Sequence, residues 1–184
     1  MSEGVVEQAA IGYAIRECSL GRVLMAASER GICHVRFGDS ERELEDELRS
    51  ELPFATLERA ELRLKGWSDA LVACIEGHAE GKDKALELPL DVSASRFQRR
   101  VWSALQQIPR GETRSYSEVA QSVGMPKGAR AVARACATNP AAVLVPCHRV
   151  VAKNESQGGY RWGMERKRAL LARERDCASG PTLD

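Results

Sequence analysis

The sequence predicts an α/β chain in two parts, a small α/β unit over residues 1–92 and a mostly helical unit over residues 93–184. Three observations carry that expectation. Two apolar-rich runs, Arg22 to Ala27 and Ile32 to Phe37, are joined by the short link Ser28-Glu29-Arg30-Gly31 and read as a β-hairpin. From Ser95 onward the apolar residues take up helical spacing. Charge changes sign at the same place: residues 1–95 hold 11 Lys and Arg against 19 Asp and Glu, a net −8, and residues 96–184 hold 16 against 7, a net +9.

After the hairpin, Ser40 caps a helix over Glu41 to Glu51, where Leu44, Leu48 and Leu52 recur at four-residue steps among charges, and Pro53 ends it. Leu62 to Glu76 reads as a second helix, and Ala85 to Val92 as an extended segment leading to a boundary near Ser93-Ala94-Ser95. Ser95 and Gln98 make a capping box, and Phe97, Val101, Trp102, Leu105 and Ile108 form one apolar stripe ahead of the stop at Pro109-Arg110-Gly111. Two short helices follow, Ser117 to Val123 and Ala129 to Thr138, separated by Gly124-Met125-Pro126-Lys127-Gly128. Their lengths and break suit a helix-turn-helix or a plain αα-hairpin. Val143 to Val145 reads as a short buried strand or extended run, Glu165 to Asp176 as a final helix, and the Ser-, Gly- and Pro-rich residues after Cys177 as a frayed tail.

A chain of 184 residues can bury a core without cross-links. Six cysteines at irregular spacing, with no signal-like apolar segment near Met1, fit a reducing, cytoplasmic setting. No apolar run, Ala141 to Val145 included, approaches the roughly 20 residues that a bilayer requires, so no membrane span is expected. Segregated positive charge in the second half points to an anionic partner such as a phosphate backbone. The helix from Ala129 to Thr138 offers Arg130 and Arg134 among alanines, with almost nothing to read base edges. That composition suits shape and phosphate binding with little sequence specificity, although alanine is also simply the best helix former.

The chemistry concentrates in Val145-Pro146-Cys147-His148-Arg149-Val150-Val151, where a thiol and an imidazole sit side by side behind a proline. A thiol attacks as its thiolate and needs a neighbour that takes its proton. Read alone, Cys147 is equally a small buried hydrophobe, Tyr116 a ring that packs ahead of a helix, Glu174 an exposed helix charge, and Asn139 a helix terminator before Pro140.

Taken together, several segments resemble the O6-alkylguanine-DNA alkyltransferases. They are Phe97-Gln98-Arg99-Arg100-Val101-Trp102, Ile108-Pro109-Arg110-Gly111-Glu112-Thr113, Ser115-Tyr116, Arg130-Ala131-Val132, Asn139, Pro146-Cys147-His148-Arg149-Val150 and Gly159-Tyr160-Arg161-Trp162-Gly163. The stretch from Tyr13 to Val92, with Ser28-Glu29-Arg30-Gly31-Ile32-Cys33, is similar to the alkyltransferase half of bacterial Ada proteins. The resemblance implies a ribonuclease H-like first unit and a DNA-binding helix-turn-helix in the second. It implies irreversible transfer of an alkyl group from O6-alkylguanine, with O4-alkylthymine as a second candidate, to Cys147 after base flipping. His148 would take the thiol proton through a water, Glu174 would orient His148, and Asn139 would tie a helix end to the active-site segment.

In the same resemblance Tyr116 turns the target phosphate and bonds the flipped base, and Arg130 props the duplex from a helix laid in the minor groove. Ala129, Ala131, Arg134 and Ser115 share that DNA contact. Backbone carbonyls at Cys147 and Val150 accept from the base, and Tyr160 and Arg161 lie in a loop over the pocket. The implied partner is double-stranded DNA bearing alkylated bases, bound by a monomer without cofactor. Cys147 argues against the related lesion-binding proteins that lack a cysteine there. A regulatory metal switch is not expected without a close Cys-x-x-Cys near the start, and Cys18, Cys33, His34 and His78 do not match the family's zinc spacing.

Overall fold

Side chains alternate across a strand, so a strand that is apolar at every position needs cover on both faces. The computed structural model describes residues 10–78, 87–152 and 159–178, and supplies that cover. Strands β1 (Ala10–Cys18), β2 (Gly21–Ala27) and β3 (Ile32–Gly38) run antiparallel, and β4 (Thr56–Arg59) joins β1 in parallel, giving the order β3-β2-β1-β4. Leu24 and Ala26 pack with Ile11, Tyr13, Ile15 and Cys33 on one face, which α1 (Glu41–Glu51) closes with Leu44 and Leu48. Val23, Met25 and Ala27 join Ala14, Val35 and Phe37 on the other. That second face meets α2 (Glu61–Ile75), through Leu64, Leu71 and Ile75, and is continuous with the core of the carboxy-terminal half.

The anticipated hairpin is present as β2 and β3, its link closed by Ser28 N–H donating to the Gly31 carbonyl at 3.0 Å. The first helix keeps its expected bounds, with Ser40 Oγ accepting from the Glu43 amide. β1 and β4 are additions to the predicted elements; β4 shows solvent most of its short length, so it lacks an apolar run to mark it. Of the extended segment expected over Ala85 to Val92, residues 85 and 86 lie outside the described residues, as does the tail from 179. Its later part runs beside β3: Ile32 N–H donates to Pro89 O and Asp91 N–H to Ile32 O, both at 2.8 Å.

The second half is built on α3 (Arg96–Gln106), with the Ser95/Gln98 capping box in place, and on the short helices α4 (Tyr116–Ser122) and α5 (Ala129–Ala137). α3 buries Val101, Trp102 and Leu105, and Trp102 Nε1 donates to Ala135 O at 3.0 Å, which locks α5 onto it. A two-residue parallel pair, β5 (Arg114–Ser115) with β6 (Val150–Val151), and the final helix α6 (Met164–Ala178) complete the described elements. Among the described residues no helix is long and apolar enough to cross a membrane.

The two halves meet at the free edge of β3. Val35 N–H donates to Pro140 O and Val35 O accepts from Ala142 N–H, both at 2.9 Å, so the chain leading to Cys147 is pinned to the sheet by a parallel bridge at Ala141. Beyond it, the extended run expected at Val143 to Val145 is corrected to a tight turn. Leu144 N–H reaches back to Ala142 O at 2.8 Å, and Val143 takes φ +70°, an uncommon conformation for a β-branched residue. These residues are apolar because the turn is pressed into the core, and not because they belong to a ladder.

Gly31 sits where the linker crosses β3, and a Cβ added there would lie 2.6 Å from Pro89 O. A backbone atom cannot yield as a side chain does, so Gly31→Ala should cost about 1–3 kcal/mol of stability. Urea unfolding checks this: the midpoint should fall at constant slope, and an unchanged midpoint would show that the linker is free to move.

Candidate active site

Two successive tight turns deliver Cys147. After the Val143 turn, Pro146 at φ −78° and ψ 60° lets Cys147 N–H bond to Val145 O at 2.8 Å, and a one-turn 3-10 helix carries Cys147 to Arg149. Such a path leaves backbone groups without ladder partners, and Asn139 supplies them. Its Oδ1 accepts from Ala141 N–H at 2.9 Å, and its Nδ2 donates to Val145 O at 2.9 Å and to Cys147 Sγ at 3.3 Å. One buried amide therefore both folds the segment and touches the sulfur.

Behind the thiol lies a buried carboxylate. Glu174, 4% exposed on α6, accepts from His148 Nε2 at 2.7 Å, from Arg149 Nε and Nη2 at 3.0 and 2.9 Å, and from Gly111 N–H at 3.3 Å. Burial pushes its carboxyl up, but the hydrogen bonds and charges of His148 and Arg149 outweigh it and hold the group down at about 2. Because Glu174 is ionised, His148 Nε2 carries the proton that joins them. Nδ1 is then the basic nitrogen, buried and with no hydrogen-bond partner among the described residues. Arg149 also donates to Ile108 O at 2.8 Å, which ties the end of α3 into the same cluster.

In front of the thiol is a cavity of about 390 Å³, in the size range of small-molecule sites, lined by Cys147, Tyr116, Ala133, Cys136, Tyr160 and Arg161. Tyr160 packs edge-on to Trp162 at 5.2 Å and to His148 at 6.4 Å. Burial pushes the Tyr116 phenol up to about 12 and the Tyr160 phenol well above its ordinary value, so both remain hydrogen-bond donors at neutral pH. Burial also pushes the Cys147 thiol up to about 11 against the opposing pull of the Asn139 amide and the Lys167 charge. At rest Cys147 is a protonated thiol.

The expected site residues fall into two groups. Asn139 with Cys147, and His148 with Glu174, form two hydrogen-bonded pairs that meet at the adjacent residues Cys147 and His148, and Tyr116, Tyr160 and Arg161 form walls of the cavity before them. Val150, also buried, offers its carbonyl to Lys167 Nζ at 2.6 Å. Arg130 and Arg134 are exposed on α5, with Ala129 and Ala131 half-buried beside them, and Ser115 caps α4 by accepting from Glu118 N–H at 3.2 Å. Sequence reasoning missed Lys167 and the structural part of Arg149. Both are buried cations beside the reacting groups, and burial lowers the Lys167 ammonium from its ordinary value. The signal was present: Lys167, Leu170, Leu171 and Glu174 share one helical face, so two charges stand in an apolar stripe.

Comparison with known proteins gives a consistent picture. The model of the 6-O-methylguanine DNA methyltransferase ribonuclease-like domain matches residues 11–92, and that of the same family's DNA binding domain matches residues 96–176. The bifunctional transcriptional activator/DNA repair enzyme Ada of Escherichia coli (strain K12) is 45% identical over 168 residues, covering 91% of this chain and 46% of that protein. The chain thus spans about half the length of that relative. The methylated-DNA--protein-cysteine methyltransferase of Methanosarcina acetivorans is 36% identical, covering 90% of this chain and 99% of that one. Among solved structures, Mycobacterium tuberculosis OGT in complex with DNA superposes with a TM-score of 0.72 at 34% identity, covering 90% of this chain and 94% of that one.

Glu174 has an ordinary value of 4.5 and is held at about 2 in the fold, so its stabilisation is complete above pH 4.5 and is lost as pH falls toward 2. Glu51 is held at about 2 as well and adds a slope of the same sign. Glu174→Gln should therefore remove part of the acid sensitivity between pH 4.5 and 2. It should also cost roughly 3 kcal/mol at neutral pH by leaving Arg149 buried without its counter-charge. Chemical denaturation across that pH range measures both effects, and a variant with the parent's acid slope would separate Glu174 from the linkage.

Proposed function

The chain belongs to the 6-O-methylguanine DNA methyltransferase family, and from that premise we propose that it repairs DNA by moving an alkyl group from O6-alkylguanine to its own Cys147. The observation that carries this reading is a thiol facing a base-sized cavity, with a hydrogen-bonded imidazole and carboxylate behind it. Attack forms a bond from Cys147 Sγ to the alkyl carbon and breaks the bond from that carbon to O6, whose electron pair leaves with the base as the guanine anion, which then takes up a proton to give guanine. The thiol proton passes through a water to His148 Nδ1, and the imidazolium so formed is stabilised by Glu174. The Asn139 amide and the Lys167 charge favour the thiolate during attack. The thioether product has no good leaving group, so each molecule reacts once and no cofactor is required.

An alkylated base inside a duplex reaches such a cavity only by leaving the stack, at a cost of a few kcal/mol. In this reading α4 and α5 act as a helix-turn-helix in the carboxy-terminal unit from residue 93. α5 lies in the minor groove, with Arg130 filling the gap left by the flipped nucleotide and Tyr116 holding the rotated backbone. Ala129 and Ala131 permit close approach, while Arg134 and Ser115 contact phosphates. The small residues and the two exposed arginines of α5 support binding with little dependence on sequence. The partner is double-stranded DNA, the protein acts as a cytoplasmic monomer, and O4-alkylthymine is a second candidate substrate.

Cys147→Ser should abolish transfer of a labelled methyl group from an O6-methylguanine duplex while leaving duplex binding intact, and residual stoichiometric labelling in the variant would remove Cys147 as the acceptor. Arg130→Ala should slow repair of the duplex by about ten- to a hundred-fold, the equivalent of part of the flipping cost, and leave reaction with the free alkylated base nearly unchanged. Equal losses on both substrates would place Arg130 in folding or pocket chemistry instead.

A further inference from the structure

Arg161 leaves the cavity wall and pairs with Glu51, a residue 110 positions earlier at the end of α1 in the amino-terminal half. Glu51 is not a loose surface carboxylate. Its Oε2 accepts from Arg36 Nη2 at 2.5 Å and from His34 Nε2 at 3.2 Å, leaving Oε1 for Arg161. Arg36 is 1% exposed and is held from its other side by Glu47 at 2.8 Å. The anchor for Arg161 is therefore fixed from within the sheet.

On the cavity side the same arginine is braced by rings. Its guanidinium carbon lies 5.7 Å from the centre of the Trp162 ring, which packs edge-on against Tyr160, and Tyr160 in turn packs edge-on against His148. A half-exposed ion pair contributes little to stability by itself. Its consequence here is geometric, because Tyr160 and Arg161 are walls of the cavity in which the alkyl group must sit.

We propose that Glu51 is a positioning residue for alkyl transfer: by holding Arg161 it fixes the Tyr160 to Trp162 wall and sets the width of the alkyl pocket. This inference rests on the alkyl-transfer reading and adds to it a role for the amino-terminal half. With the tie cut, the wall relaxes outward. A methyl group then loses its fit against Cys147, and a bulky group gains room.

Single-turnover rates with an O6-methylguanine duplex and with free O6-benzylguanine test this in the parent, Glu51→Gln, Arg161→Gln and the double variant. Arg161→Gln leaves the Arg36 and Glu51 pair intact, so it stays informative where Glu51→Gln weakens the fold. Each single variant should raise the benzyl-to-methyl rate ratio by about three- to ten-fold, and the double variant no further than either. Equal changes on both substrates, or a Glu51→Gln effect that persists undiminished in the Arg161→Gln background, would overturn the proposal. Amide hydrogen exchange at Tyr160 to Trp162 should rise in both single variants relative to α3, and unchanged exchange there would also overturn it. A parent protein that transfers nothing would reject the alkyl-transfer reading, while the exchange data would still judge the tie between Glu51 and Arg161.

Discussion

The carboxylate of Glu174 is the constraint around which the reactive half is arranged. A charge removed from water must be met by partners with good geometry, and two separate segments bring them to Glu174 on α6: the 3-10 turn through His148 and Arg149, and the Gly111 amide after α3. The same requirement that makes the carboxylate tolerable in the core thus fixes where those segments meet. It also selects the tautomer of the neutral His148 ring, since an ionised acceptor at Nε2 leaves the lone pair at Nδ1. Arg149 offsets the charge of Glu174 at rest, and the imidazolium that forms during the proposed reaction has the same carboxylate as its counter-charge.

The thiol in front of that cluster is controlled by opposing effects. Burial keeps it protonated, while the Asn139 amide and the Lys167 ammonium favour the anion. A protonated thiol is a poor target for adventitious oxidants and electrophiles, and it becomes a nucleophile only when its proton has somewhere to go. If, as proposed, each molecule reacts once, a nucleophile inactive until substrate fills the pocket is the appropriate design. The amino-terminal sheet contributes rigidity to this arrangement. Its β3 edge pins residues 140 to 142 through a parallel bridge, and its buried Arg36 stands behind the Glu51 and Arg161 pair.

Much of this was legible in the chain. The hairpin of β2 and β3, the Leu44 and Leu48 stripe of α1, and the Ser95/Gln98 cap of α3 follow from period, turn and capping rules that act over a few residues. Cys147, His148, Asn139 and Glu174 were picked out by family resemblance, and the first two also by adjacency. What escaped depends on distant partners. Val143 adopts a positive φ that no local rule assigns to valine, because the turn is imposed by the β3 edge on one side and Asn139 on the other. β4 is held by pairing with β1 and shows no apolar run. Arg161 finds its carboxylate across the whole chain, and nothing near it in sequence marks Glu51 as that partner.

The central claim is one covalent transfer per molecule to one sulfur. The most direct test is intact mass followed by peptide mapping after incubation with a duplex containing a single O6-methylguanine. A gain of about 14 Da on the Cys147 peptide, saturating at one per protein, is the result this account requires. No gain, with a retained preference for the damaged duplex, would contradict it and leave a lesion-binding protein whose thiol is a spectator.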